Sequence, residues 1–374
     1  MTGFSEPRAR AQPRRMEPAK KLLLADLPAD VVQHILVRIQ LAHHIARSAP
    51  TCKVVSVAVR NAIKVRQFST QVVTLAGHTR GVNCVAAAPD GRVLTGSYEH
   101  TVKVWRDGAC ERTIQATRAS SRWRIVMAVA VLPGGARFVS GSQDGTAKLW
   151  TLDGELERTF EVGSEVNCVA ALPDGVHFVV GLGGFGHYRG EVRLYHVDGT
   201  LVHTFKGHTN RVYAAPVEAV AVTPDGQHII SGSMDKLVKV WSVATKSLVS
   251  TCEGHTNWVR AVAAMPDGQR ILSGGADNTV RVWLLNGTVE TIFSELHIAT
   301  VNALVALPDN QHALSGSGDK TVKLFNVNDG AVLRTFKHHN DEVRCLALLP
   351  DGLRFVSGSD DHTARIVYHG LAPK

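Results

Sequence analysis

Residues 254–283 read GHTNWVRAVAAMPDGQRILSGGADNTVRVW, and this stretch decides the fold. Apolar side chains alternate over 259–265, the period of a half-buried strand. Pro266-Asp267-Gly268 then turns the chain: proline presets φ, and glycine accepts a positive φ. Residues 270–273 return, Ala276-Asp277-Asn278 turns again, and 279–283 leave as a β-branched strand. A fourth strand is predicted over 288–293. A four-strand antiparallel unit with two apolar faces cannot bury both by itself, so neighbouring copies are required.

The copies are present. The strand-end position of Trp283 recurs as Trp105, Trp150, Tyr195, Trp241, Phe325 and Val367, at intervals of 42–46 residues. The turn proline recurs as Pro89, Pro133, Pro173, Pro224, Pro266, Pro308 and Pro350. Two independent markers give seven units of one period. The Gly-His opening and Trp-like close of these units resemble the WD-repeat (WD40) family over roughly residues 70–369. That resemblance implies an all-β fold, a propeller of seven four-stranded blades.

The ends of the chain complement one another. Residues 71–76 read as a fourth strand without a blade, and the seventh repeat stops one strand short. The early strand is expected to pair beside 363–367, closing the ring and covering an open edge.

The family resemblance further implies a polar network inside each blade, linking a His, a Ser or Thr, an Asp and the closing Trp. Blade 4 offers His208, Ser231, Asp235 and Trp241, and blade 5 offers His255, Ser273, Asp277 and Trp283. Blade 1 has His78, Thr95, Glu99 and Trp105. Blades 2 and 3 have lost the Gly-His pair, and blades 6 and 7 keep only Leu296-His297 and His338-His339. His, Ser and Asp together resemble a hydrolase triad, but their recurrence around one ring reads as structural. Gly181 to Gly186 satisfies G-x-G-x-x-G, yet a strand follows it rather than a helix, which removes the dinucleotide reading. No metal, cofactor or catalytic motif is found, so no enzyme activity is expected.

In a four-strand meander the 2–3 turns and the links between blades share one face. The repeats are lengthened there, near 118–124, 182–190 and 210–215, and added loops on a rigid frame are where specificity usually resides. The same face receives the residues flanking the first-strand valine and those before the turn Asp. The resemblance implies a protein-binding surface, for which Arg80, Tyr98, Arg122, Arg124, Arg189, Trp258, Arg260 and Arg344 are the candidates. Trp258 with Arg260 and Arg344 forms the expected anchor.

The net charge of +8 is unevenly placed. Residues 1–21 hold six Lys/Arg against two acids and 22–70 hold six against two, whereas 71–374 hold 29 of each. A neutral propeller gives no support to a nucleic-acid partner. No run of about 18 apolar residues occurs, so no membrane partner is expected. Residues 1–21 lack an apolar signal core and read as a disordered basic tail, with Met16 as a second start. Cys84, Cys168 and Cys345 share one strand position as small core residues, without metal or disulfide spacing, which suggests a reduced compartment, cytoplasm or nucleus.

Between tail and propeller, apolar residues at helical spacing (Val31, Val32, Ile35, Leu36, Ile39, then Val54 to Ile63) predict a small helical module over 22–66. Leu27-Pro28, Val31-Val32, Ile35-Leu36 and Cys52-Lys53 resemble an F-box, departing from it at Val54 and Val55, where a Trp is common. The resemblance implies that Leu27, Pro28, Val31, Val32, Ile35 and Leu36 grip the adaptor of an SCF-type ubiquitin ligase. The chain would then be the substrate-recognition subunit of that ligase. The alternative is a helical cap on a WD-repeat scaffold with no ligase role, with ubiquitin itself as a candidate partner.

Overall fold

The structure, a computed structural model, describes residues 72–117, 125–184, 190–209 and 215–371. The expected tail and F-box-like module, with Leu27, Pro28, Val31, Val32, Ile35 and Leu36, lie outside the described residues, as do Arg122, Arg124 and Arg189. Within them the chain is all-β, a seven-bladed propeller of four-stranded antiparallel sheets. Blades 1 to 6 span residues 82–115, 126–161, 166–208, 217–252, 259–293 and 301–336, and blade 7 takes 343–368 plus one early strand.

That early strand, Val73–Ala76, pairs with Thr363–Tyr368 in the register Val73↔Ile366 to Ala76↔Thr363. It fills the fourth place of blade 7, as the complementary chain ends required. First strands of successive blades lie against one another right round the ring, with Val82–Ala87 of blade 1 meeting Val343–Leu348 of blade 7.

The core is divided among the seams. Seven apolar clusters each join two consecutive blades: Phe138 and Trp150 of blade 2 pack on Leu94, Val102 and Val104 of blade 1. At the closing seam Leu75, Val356, Ala364 and Ile366 pack on Val82, Val85, Val93 and Trp105. Each fully buried Val, Leu or Phe contributes roughly 1.5–3 kcal/mol, so a seam amounts to a small hydrophobic core. The blades approach closely enough to demand glycine in the second strand. A Cβ on Gly358 would sit 2.7 Å from Val82 Cγ1, and one on Gly274 would sit 2.6 Å from Val301 Cγ1. Cys84 and Cys168 are buried in these seams as thiols, as their shared strand position suggested, and burial pushes Cys84 up to about 12.

If ring closure holds the fold, Leu75→Ala should destabilise the protein by about 2–5 kcal/mol, although Leu75 lies in a four-residue strand. Val249→Ala, on an outer strand and 48% exposed, should stay within about 0.5 kcal/mol. Urea unfolding followed by tryptophan fluorescence measures both, and equal effects would contradict the closure argument.

Candidate protein-binding face

The polar networks form and tie the segment leading into a blade to that blade's second and third strands. In blade 5 the Trp283 indole N–H donates to Ser273 Oγ at 2.7 Å, and Ser273 Oγ is 2.7 Å from His255 Nε2. His255 Nδ1 is 2.8 Å from Asp277 Oδ2. A carboxylate only accepts, so Nδ1 carries the proton and Nε2 accepts from the serine hydroxyl. Blade 4 repeats this through His208, Ser231, Asp235 and Trp241 at 2.7–2.8 Å. Blade 1 does so through His78, Thr95, Glu99 and Trp105 at 2.6–2.8 Å.

Blades 6 and 7 keep more of the network than their altered openings suggested. His297 joins Ser315 and Asp319, and His339 joins Ser357 and Asp361. Only the Trp is missing, replaced by Phe325 and Val367. The glycine before the His is therefore dispensable, because the His side chain carries the bonds. In blade 3 the equivalent place is taken by Val162, buried in a seam. The serines of blades 4 to 7 are at most 1% exposed, and each hydroxyl is held by the His on one side. The bonds of this trio hold the entering segment, the second strand and the turn together.

The carboxylates cap the turn beside them. Asp319 Oδ1 accepts from Thr321 N and Thr321 Oγ1 at 3.0 and 2.6 Å, and Asp144, Asp277 and Asp361 cap their threonines alike. Each turn then places its next residue at positive φ: His100, Gly145, Lys236, Asn278, Lys320 and His362. These caps set the second-to-third-strand turns in one attitude, all on one face.

At that face every first strand carries a β-bulge. The register slips between Val82 and Cys84, and at the equivalent point in the other six blades. The skipped residues are Asn83, Met127, Asn167, Glu218, Arg260, Asn302 and Arg344. A bulge re-aims a side chain that a regular strand would commit to a sheet face. Here seven bulges turn seven side chains to the mouth of the central channel, where Asn83, Asn167, Arg260 and Asn302 reach across blades. Asn83 Nδ2 donates to the Met127 carbonyl at 3.2 Å, Asn302 Nδ2 to the Val343 carbonyl at 3.0 Å, and Arg260 Nη1 to Glu218 Oε2 at 2.6 Å. In all seven blades the residue before the bulge valine accepts a backbone bond from the turn after the second strand, as Trp258 does from Ala276 at 2.8 Å, and as Glu165 does from Gly183 in blade 3, which has no turn Asp.

Of the expected anchor, Trp258 and Arg260 come together. The Arg260 guanidinium lies 5.1 Å from the Trp258 ring centroid, and Trp258 is 39% exposed. Arg344 does not join them; its Nε and Nη2 donate to Asp360 Oδ2 at 2.8 and 2.6 Å. Tyr98 stands with that pair: burial pushes its hydroxyl up, and Arg344 opposes the shift. Arg80 is exposed and lies one residue before the ring position, which Gly81 fills. Burial pushes Glu218 up, with Arg260 opposing, and pushes Glu165 up as well. Gln143 Oε1, Arg260 Nε and Asp360 Oδ1 are buried at this mouth and make no hydrogen bond among the described residues. The mouth therefore offers one exposed aromatic ring and two arginines held by carboxylates.

The sequence pattern described as "WD domain, G-beta repeat" matches residues 69–106, 108–151, 199–242, 246–283, 290–326 and 330–367. This chain belongs to the WD-repeat family. The pattern passes over 152–198, most of blade 3, although that blade has its four strands. This WD-repeat chain is similar to the Angio-associated migratory cell protein of Homo sapiens, 27% identical over 184 residues, 48% of this chain and 40% of that protein. It is similar to the Small ribosomal subunit protein RACK1y of Oryza sativa subsp. japonica, 27% over 180 residues, 45% and 49% of the two chains. Pre-mRNA-processing factor 17 of Saccharomyces cerevisiae is 30% identical over 172 residues, 44% and 35%. The chain spans less than half the length of these curated relatives.

The networks make stability sensitive to acid. Burial disfavours the charge on Asp319, but bonds from His297 and Thr321 outweigh it and bring it to about 2; Glu99, bonded by Thr101 and Thr79, also falls to about 2. Both values lie below the ordinary carboxylate values of 3.8 and 4.5. Their contribution is therefore complete above those values and is lost as pH falls towards 2. Unfolding free energy should be flat in this respect from pH 7 to 5 and drop below pH 4. For Asp319→Asn the drop should be smaller by roughly 2 kcal/mol, measured by urea melts at each pH.

Proposed function

We propose that this chain is a non-enzymatic scaffold that takes a protein partner at the bulge-lined channel mouth, and that residues 22–66 deliver that partner to an SCF-type ubiquitin ligase adaptor. The observation that carries the first part is the ring itself. Seven bulges on one rigid frame turn unlike side chains to one mouth, beside a half-exposed Trp258 whose ring is stacked by Arg260. An exposed aromatic next to a guanidinium that is already positioned gives contact area at little ordering cost, the usual make-up of a binding hot spot. The second part rests on the sequence alone, on Leu27-Pro28, Val31-Val32 and Ile35-Leu36. The three relatives are named for three different roles, so the identity of the partner is not borrowed from them.

The two parts separate in one experiment. Full-length tagged chain, Trp258→Ala, and the double variant Leu27→Asp with Ile35→Asp are used for affinity capture from the native cell. Trp258→Ala should lose the partner by roughly thirtyfold in affinity, the scale of a hot-spot residue, and keep the ligase adaptor. The helix variant should do the reverse. Capture of a partner without any adaptor would leave a scaffold with no ligase role, and capture unaffected by Trp258→Ala would remove the channel mouth as the site.

A further inference from the structure

Away from the channel mouth, blade 6 carries a groove of about 600 Å³ lined by Ile298, Lys320, Lys323, Thr335 and Lys337 among others. Single members of this set recur in other blades, as Lys236 does for Lys320 and Lys206 for Lys337, but blade 6 combines both lysines with an exposed isoleucine. The residue after the network His is Thr79, Thr209, Thr256 or Asn340 in blades 1, 4, 5 and 7; in blade 6 it is Ile298, 89% exposed. Lys323 belongs to a position where Lys103 and Lys239 donate to Thr113 and Thr251 on the next strand, each at 3.1 Å. In blade 6 the lysine turns instead to the Leu296 carbonyl, and its cross-strand partner, Thr335, is left on the groove wall. Lys337 stands where blades 1, 2 and 4 have Gln115, Glu161 and Glu253. It is exposed and makes no ion pair among the described residues. Lys320, at the left-handed turn position, reaches only the half-exposed Asp341 at 3.6 Å and the Asn340 carbonyl.

The negative charge beside these lysines is already committed. Asp319 is 2.6 Å from His297 and caps Thr321, and its side chain is 7% exposed. Three cations on three separate elements thus face the groove with no exposed carboxylate of comparable number, and a bare isoleucine marks one end.

We propose that this groove docks an extended acidic segment of a partner protein, with carboxylates spaced along it for Lys320, Lys323 and Lys337 and one bulky apolar side chain against Ile298. The cations come from a turn, a third strand and the end of a fourth, so they suit separated carboxylates better than one compact phosphate. Volumes of this order accept a few residues of peptide. The proposal extends the scaffold reading to a second surface, one that does not use Trp258.

The probe is the fluorescein-labelled peptide Asp-Glu-Leu-Glu-Asp, titrated with the full-length chain and followed by anisotropy. Saturable binding is expected, weakened at least fivefold by Lys337→Glu or Lys320→Glu and at least tenfold by Ile298→Asp. It should weaken several-fold on raising salt from 50 to 300 mM, because exposed charge pairs are screened. Lys236→Glu, the blade 4 counterpart of Lys320, and Trp258→Ala should leave it within twofold. No saturation, equal binding by the blade 6 variants, or equal binding of a peptide with Ser in place of Leu would overturn the proposal. So would self-association of the chain that is abolished by Lys337→Glu in place of peptide binding. Thermal melts of the variants check folding, which these exposed positions should leave unchanged. Partner capture unaffected by Trp258→Ala, with peptide binding intact, would sink the channel-mouth reading alone.

Discussion

Everything in this molecule depends on strand pairing between residues nearly three hundred positions apart. Val73–Ala76 supplies four residues to the outer place of blade 7, and through them the last seam, Leu75 against Val82 and Trp105, is made continuous with the other six. No blade is stable alone, because each spreads its apolar surface over two seams. Closing the circle therefore converts seven marginal sheets into one cooperative body. The cost is long-range order: the first and last parts of the propeller must find each other before either is secure.

Rigidity of that body is what makes the channel mouth usable. Each bulge places one residue of an otherwise apolar strand out of register, and in blades 1, 4, 5, 6 and 7 a buried His network behind it fixes the turn that supports it. Since the frame is satisfied internally, residues at the mouth need not serve folding. Glu218 can hold Arg260, and Asp360 can hold Arg344, without any of the four being needed by a seam. The same division lets blade 6 replace a threonine by Ile298 while His297, Ser315 and Asp319 keep their bonds.

Much of this was legible from the sequence, because the governing pattern is local and repeated. The period of 42–46 residues, the turn prolines and the Trp positions fixed the number of blades, and the two incomplete ends fixed their closure. The networks of blades 1, 4 and 5 could be read residue by residue. Those of blades 6 and 7 were underread, since Leu296 and His338 stand where glycine was sought, although a His followed eighteen residues later by a Ser was the better signal. What sequence could not give is partnership across blades. Arg260 and Arg344 occupy identical positions, yet one stacks on Trp258 and pairs with a neighbour's Glu218 while the other turns to Asp360 of its own blade. That choice depends on which side chains happen to stand next to each in space. The groove of blade 6 was missed for the same reason, since its lysines lie on three strands or turns that only the fold brings together.

The turns that carry Lys236, Asn278, Lys320 and His362 have a further implication. Their left-handed backbone is held by the Asp and Ser caps on either side, while the side chain at the tip points to other partners, as Lys320 does to the Asn340 carbonyl. A residue other than glycine there costs on the order of 1 kcal/mol of conformational strain, least for asparagine, whose short polar side chain suits the left-handed region. Because the caps carry the turn, lysine, asparagine and histidine all occupy this position in one ring, so propellers with the same skeleton can diverge in surface chemistry at these tips.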